Sequence, residues 1–275
     1  MSEKSKQQDI TRKRVVYHLP EEDSVTIRRG VEYSARDTGA LTMDVYYPPD
    51  AKSGDRTPVV IFVSGYSDVG FQRMLGCKLK DMESYISWGR LTAASGLVAI
   101  TYTNVEPEAD VKALLEHISQ NAESLGVDEN RIGIWACSGN VPNALSLLMQ
   151  RERHYLKCAV LPYAMMLDVD GHTRTEESAK MIGFVNPCAG KSVEDLPDKM
   201  PLFIVRAGQD QMPHLNETLD RFLAKAVECN LPITFINHPT AQHGFDVLDD
   251  DATTREVVRQ ILAFMQLHLL SYNGY

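Results

Sequence analysis

Residues 131–140 read Arg131-Ile-Gly-Ile-Trp-Ala-Cys-Ser-Gly-Asn140 and run straight into a helical stretch from Val141. The segment Ile132-Gly-Ile-Trp135 is too short for a helix and lacks strict alternation, which predicts a strand buried on both faces of a parallel sheet. A helix starts within about four residues of its end, so the chain must turn sharply between them. Such a turn crowds the backbone and needs small residues two before and two after its apex. With Ser138 at the apex the flanks are Ala136 and Asn140; with Cys137 there, the preceding flank would be Trp135, which is too bulky. Ser138 is the expected apex and Cys137 its packing neighbour. Asn140 is larger than a glycine, and its tolerance of positive φ helps only if that position is left-handed.

Working outward, short apolar runs recur with helical segments between them. Val59–Val63, Leu97–Thr101, Cys158–Leu161, Leu202–Val205 and Ile233–Ile236 share the doubly buried strand pattern. Val111, Leu114, Leu115, Ile118, Ala122 and Leu125 follow one helical face, as do Leu215, Leu219, Phe222, Leu223, Ala226 and Val227. The last helix opens with a capping-box pattern, Thr253-x-x-Glu256, and turns Val257, Ile261, Phe264 and Met265 inward. Residues 15–47 are β-rich with turn chemistry at Asp37-Thr-Gly39, predicting an N-terminal antiparallel meander. Strands alternating with helices predict an α/β fold: a mostly parallel sheet with helices on both faces. Residues 163–200, rich in Asp, Gly, Met and Pro, are long for a connection and are expected to form a small cap-like insertion.

Composition sets limits. The chain has 275 residues, 44% hydrophobic and 24% charged, enough for a sizeable core in one domain or two at roughly 150 residues each. The net charge of −9 gives no footprint for nucleic acid and little attraction to anionic membranes. Five cysteines without a C-x-x-C pair read as reduced thiols, with no disulfide framework and no zinc site. The opening residues, MSEKSKQQDITRKR, lack the apolar run of a signal peptide, and no run reaches the roughly 18 residues of a membrane span. The expectation is a cytoplasmic protein with a mobile tail over 1–14 and one domain over 15–275. Whether it forms a homo-oligomer is left open.

Ser138 can act as a nucleophile only with a base oriented by a third group. Two later segments supply candidates past strand ends: Asp210 in Arg206-Ala-Gly-Gln-Asp210-Gln-Met-Pro213, and His243 in His243-Gly-Phe-Asp246. Ligands of open α/β sheets bind outside the carboxyl ends of the strands, so the three should converge at one edge. His238, wedged before Pro239, is read as a loop histidine, and Asp246 with Asp249–Asp251 as a solvated acidic turn and cap. Asp168 and Asp170 have spacing reminiscent of a calcium loop but lack its other ligands, so no metal is expected.

Residues from about 41 to 270 resemble the α/β-hydrolase superfamily, in particular its dienelactone-hydrolase and prolyl-oligopeptidase-like esterase branch. The motifs are R-I-G-I-W-x-x-S, A-G-x-D-x-x-x-P around Asp210, and H-G-F-D at His243. The resemblance implies Ser138 as nucleophile, His243 as general base and acid, and Asp210 as its orienting partner. It also implies an oxyanion hole of backbone N–H groups from Gly139 and Tyr66, although Ser64 stands where the family's loop usually begins with His. Tyr66, Cys137, Tyr163, Met165, Met166 and His214 are the expected pocket residues. The implied activity is cofactor-free hydrolysis of a small-molecule ester of small or medium acyl chain through an acyl-enzyme. Two alternatives stay open: a peptidase or amide hydrolase of the prolyl-oligopeptidase-like type, and a non-catalytic ligand-binding relative.

Overall fold

The computed structural model describes residues 10–36, 39–52, 54–150 and 153–271. Residues 1–9 of the expected tail, and Asp37 and Thr38 of the expected turn, lie outside the described residues. Residues 10–16 run along the body: the Thr11 carbonyl accepts from Glu83 N at 3.0 Å, and Val15 N donates to Ser87 Oγ at 3.0 Å.

Among the described residues one sheet holds β1 (Thr26–Arg36), β2 (Gly39–Tyr47), β3 (Thr57–Phe62), β4 (Val98–Tyr102), β5 (Val127–Trp135), β6 (Leu156–Pro162), β7 (Leu202–Ala207) and β8 (Ile233–His238). Their order across the sheet is β1-β2-β4-β3-β5-β6-β7-β8. The first two strands pair antiparallel with each other, β2 pairs antiparallel with β4, and the remaining pairings are parallel. The apolar runs do not alternate with polar residues because both faces are covered. Along β3 and its extension, Val59, Ile61 and Val63 join one core cluster while Val60 and Phe62 join the other.

The α-helices that lie wholly among the described residues are α1 (Asp68–Leu75), α2 (Glu83–Ala94), α3 (Pro107–Gln120), α4 (Ala122–Leu125), α5 (Val141–Leu148), α6 (Arg174–Ile182), α7 (Leu215–Glu228), α8 (Phe245–Leu248) and α9 (Ala252–Leu269). Helices α3, α5 and α7 feed the first core; α2 and α9 feed the second, where Phe62, Tyr85, Trp88 and Trp135 meet edge-on or tilted. Chain direction across the sheet reverses at β3, which lies between β4 and β5. That is the topological switch point, where open α/β sheets bind ligands at the carboxyl ends of their strands.

Several expectations change. The strand Ile233–Ile236 is not doubly buried: β8 is the sheet's last strand, and Phe235 is 42% exposed. Val227 does not face inward but is 66% exposed, because it follows Ala226 by one residue and so points about 100° away. The face predicted through Leu125 breaks after α3 and resumes in the single turn of α4. The last helix is capped by Asp251, whose side chain accepts from Thr254 N at 2.8 Å, and not by Thr253. His238 is not a loop residue; it ends β8 at 1% exposure, and its Nε2 lies 3.1 Å from Thr254 Oγ1, joining β8 to α9.

The cap assignment yields a direct comparison. In urea unfolding, Asp251→Ala should cost about 1 kcal/mol, whereas Thr253→Ala, at an exposed position, should stay within about 0.5 kcal/mol.

Candidate active site

The segment after β5 forms the sharp turn that the sequence demands. Ser138 has φ 54°, a left-handed backbone that costs a non-glycine residue about 1–2 kcal/mol. Hydrogen bonds hold it there: Ser138 N donates to Tyr163 O at 3.1 Å, and Ser138 O accepts from Met165 N at 3.2 Å. The apex is therefore fastened to the chain leaving β6. Asn140 is right-handed, with φ −80° and ψ −19°, so its tolerance of positive φ plays no part.

The three segments converge. Ser138 Oγ lies 3.0 Å from His243 Nε2, and His243 Nδ1 lies 2.7 Å from Asp210 Oδ2. The Asp210 side chain is fully buried, while the His243 side chain is 30% exposed. Asp210 also accepts from Met212 N at 2.8 Å, and the histidine loop is pinned where Gln242 N donates to Asp249 Oδ2 at 3.0 Å. The Tyr163 ring meets His243 edge-on, with centroids 5.0 Å apart.

Cys137, the competing apex, is excluded by its surroundings. Burial pushes its thiol up to about 11, and its sulfur lies 3.6 Å from the Tyr85 hydroxyl, behind the turn. A thiol with so high a pKa supplies almost no thiolate at neutral pH.

Close backbone approach shapes the space beside Ser138. A Cβ on Gly65 would meet Gly139 O at 2.5 Å, and one on Gly139 would meet Tyr66 Oη at 2.5 Å and Phe184 Cδ1 at 2.6 Å. The loop after β3 thus lies directly on the turn after β5. Gly139 N–H has no hydrogen-bond partner among the described residues and is available to an anion beside Ser138. Tyr66 N–H is not equally free, since it donates a long 3.2 Å bond to Ser64 Oγ, which in turn donates to Tyr66 O at 2.9 Å.

Asn140 was not anticipated as a functional position, yet it ties the two loops together. Its Oδ1 accepts from Gly65 N at 2.8 Å and its Nδ2 donates to Tyr85 Oη at 3.2 Å. Its departure from a small residue at the turn's flank was the available signal. Asp246 was expected in a solvated turn, but it is 2% exposed and accepts from Trp88 Nε1 at 2.7 Å and Tyr163 Oη at 2.9 Å. Residues 15–17 help cover it, with Val16 N donating to Asp246 O at 2.9 Å.

The expected pocket residues separate. Tyr66 stacks edge-on with Phe71 and Phe184 and borders Gly139. Met165 and Met166, at 1% and 0% exposure, are core residues; Met166 belongs to the cluster on the sheet's other face. His214 sits at the start of α7, facing Glu217 at 3.4 Å and Glu177 at 3.9 Å. Within 163–200, Val185 N donates to Gly65 O at 2.8 Å, so the insertion packs on the same loop. Asp168 caps α6 by accepting from Thr175 N at 2.8 Å and Glu176 N at 3.2 Å, which accounts for its carboxylate without a cation. Among the described residues no group of three or more His, Cys, Asp or Glu could hold a metal, and no helix is long and apolar enough to cross a membrane.

Solved structures share this architecture. An esterase from the planctomycete Thermogutta terrifontis superposes with a TM-score of 0.65 at 21% identity, over 97% of this chain and 100% of that one. A serine-to-alanine variant of LAE6, an α/β hydrolase from the metagenome of Lake Arreo, Spain, gives 0.67 at 18% identity over 91% and 87%. DphMB1 gives 0.66 at 19% identity over 97% and 91%. The chain has the α/β-hydrolase fold. No protein-family model matches it. No curated protein matches it either. The dienelactone-hydrolase branch gains no specific support from these neighbours.

Two outcomes follow. Replacing Asn140 by Ala leaves Gly65 N–H without its buried acceptor and should cost about 1–3 kcal/mol in urea unfolding. Asp68, at the start of α1, is 5% exposed; burial raises its carboxyl to about 6, and its Oδ1 is unpartnered. The native form keeps this proton between about pH 4 and 6, where the unfolded chain has released it, so stability falls as pH rises through that window. Asp68→Asn should therefore raise stability at pH 7 by about 1–3 kcal/mol and leave it unchanged near pH 4, measured by urea melts at both pH values.

Proposed function

We propose that the protein is a serine hydrolase that cleaves carboxylic esters of small or medium acyl chain through an acyl-enzyme. One observation carries the reading: Ser138 Oγ, on a strained apex, lies 3.0 Å from His243 Nε2, and a buried Asp210 lies 2.7 Å from the other ring nitrogen. A serine hydroxyl is a weak nucleophile unless a base takes its proton as it attacks, and this geometry supports His243 in that role.

Ser138 Oγ adds to the ester carbonyl as its proton passes to His243 Nε2. Asp210 holds the ring with Nε2 toward the serine and stabilises the imidazolium that forms. Negative charge gathers on the former carbonyl oxygen, beside the unpartnered Gly139 N–H; Tyr66 N–H joins it by giving up its long bond to Ser64. The C–O bond to the alcohol breaks, and the leaving oxygen takes the proton from His243. Water then repeats the sequence on the acyl-serine, releasing the acid. No step calls on a metal or cofactor.

Tyr66 and Phe184 lie close over Gly139, the residue after Ser138. The Thermogutta esterase has been described with butyrate and with propionate bound, and as phosphonylated by sarin.

A fluorophosphonate should attach to Ser138, located by mass spectrometry. In a 4-nitrophenyl ester series kcat/KM should be highest for short chains, with peptide anilides far slower. Ser138→Ala should lower kcat at least ~10⁴-fold without unfolding the protein. An adduct on Cys137, or neither adduct nor turnover, overturns the reading.

A further inference from the structure

Behind the proposed Ser138–His243–Asp210 set lies a second carboxylate that this set does not use. Asp246 is three residues beyond His243, buried at 2% exposure, and burial raises its pKa. Leaving a carboxyl in such a place is unfavourable unless its oxygens are satisfied. They are, by Trp88 Nε1 at 2.7 Å and Tyr163 Oη at 2.9 Å.

Tyr163 stands at the junction of the site. Its carbonyl accepts from Ser138 N at 3.1 Å, its ring lies against the His243 imidazole at 5.0 Å, and its backbone is left-handed at φ 36°. A side chain with a strained backbone keeps its place only where several contacts fix it. The body of Tyr163 is held by Phe245, edge-on at 5.5 Å, and by Tyr163 N donating to Val205 O at 2.8 Å; its far end is held by Asp246. Trp88, in α2, fixes the other oxygen of the carboxylate, and Val16 N fixes its backbone from the N-terminal segment.

We propose that Asp246 is a positioning residue which, through the Tyr163 hydroxyl, sets the alignment of both the Ser138 turn and the His243 ring. The proposal rests on the serine-hydrolase reading of the site. Asp246 touches neither substrate nor reacting atoms. A displacement of about 1 Å at a reacting group can cost on the order of 100-fold in rate, so loss of this support should be felt in turnover more than in binding.

The test uses the full chain with 4-nitrophenyl butyrate, and fluorophosphonate titration to count active sites. Tyr163→Phe keeps the ring and deletes the hydroxyl; Asp246→Asn keeps the shape and removes the charge and one acceptor. Each should lower kcat per titrated site about 10- to 100-fold with KM within about twofold. Because the two act through one hydrogen bond, the double variant should be no more than about twofold worse than the more impaired single variant. In proton NMR the downfield His243 Nδ1–H resonance should move in Tyr163→Phe, a readout that needs no ester.

Unchanged kcat per site in folded Tyr163→Phe overturns the proposal, and so do fully additive losses. A lowered melting temperature with normal kcat per site leaves Asp246 a purely structural role and overturns it too. Should Asp246→Asn fail to fold, Tyr163→Phe decides alone. A wild-type protein inert to esters and fluorophosphonate removes the function reading itself; the resonance in Tyr163→Phe still shows whether the hydroxyl positions the histidine.

Discussion

Ser138 holds a backbone conformation that L-residues avoid, at φ 54°, and the rest of the site is arranged around keeping it there. The strain amounts to about 1–2 kcal/mol, which two backbone hydrogen bonds to the strand β6 exit and the burial of α5 behind it can offset. In this turn the half-buried Ser138 has its Oγ against His243 Nε2, and the Gly139 N–H has no partner among the described residues. Backbone strain at this one residue is thus the structural source of the proposed chemistry.

The same requirement explains the neighbouring sequence. Gly65 and Gly139 lack side chains because each would collide with the opposing loop, Gly65 with backbone and Gly139 with Tyr66 and Phe184. Asn140 bridges the two loops from within through its Oδ1, and its Nδ2 donates to the hydroxyl of Tyr85 in α2. Beyond the elbow, Asp246, Trp88 and Tyr163 form a polar path from α2 to the back of His243. Polar groups buried this deeply are costly unless fully paired, and these ones meet beside the proposed nucleophile and base.

Much of the layout was legible in the sequence. The strand-turn-helix at 131–148, the Ser138, Asp210, His243 order and the two-faced burial of the central strands all follow from local pattern, because a doubly covered parallel sheet leaves a run of apolar residues that period alone reveals. What was not legible depends on contacts between distant segments. Asp246 reads as part of an acidic turn until Trp88, over 150 positions away, and residues 15–17 are seen to cover it. Met165 and Met166 read as pocket walls because polarity cannot say which side of a chain the core lies on. Phe235 and Val227 read as interior because apolar residues at a sheet edge or a helix shoulder look like core ones.

The most direct measurement is a crystal structure of the protein after reaction with a fluorophosphonate. Phosphorus should be bonded to Ser138 Oγ, with its phosphoryl oxygen within about 2.7–3.1 Å of the Gly139 and Tyr66 amides and His243 still paired with Asp210. Phosphorus on another residue, or a phosphoryl oxygen turned away from Gly139 into solvent, would contradict the account.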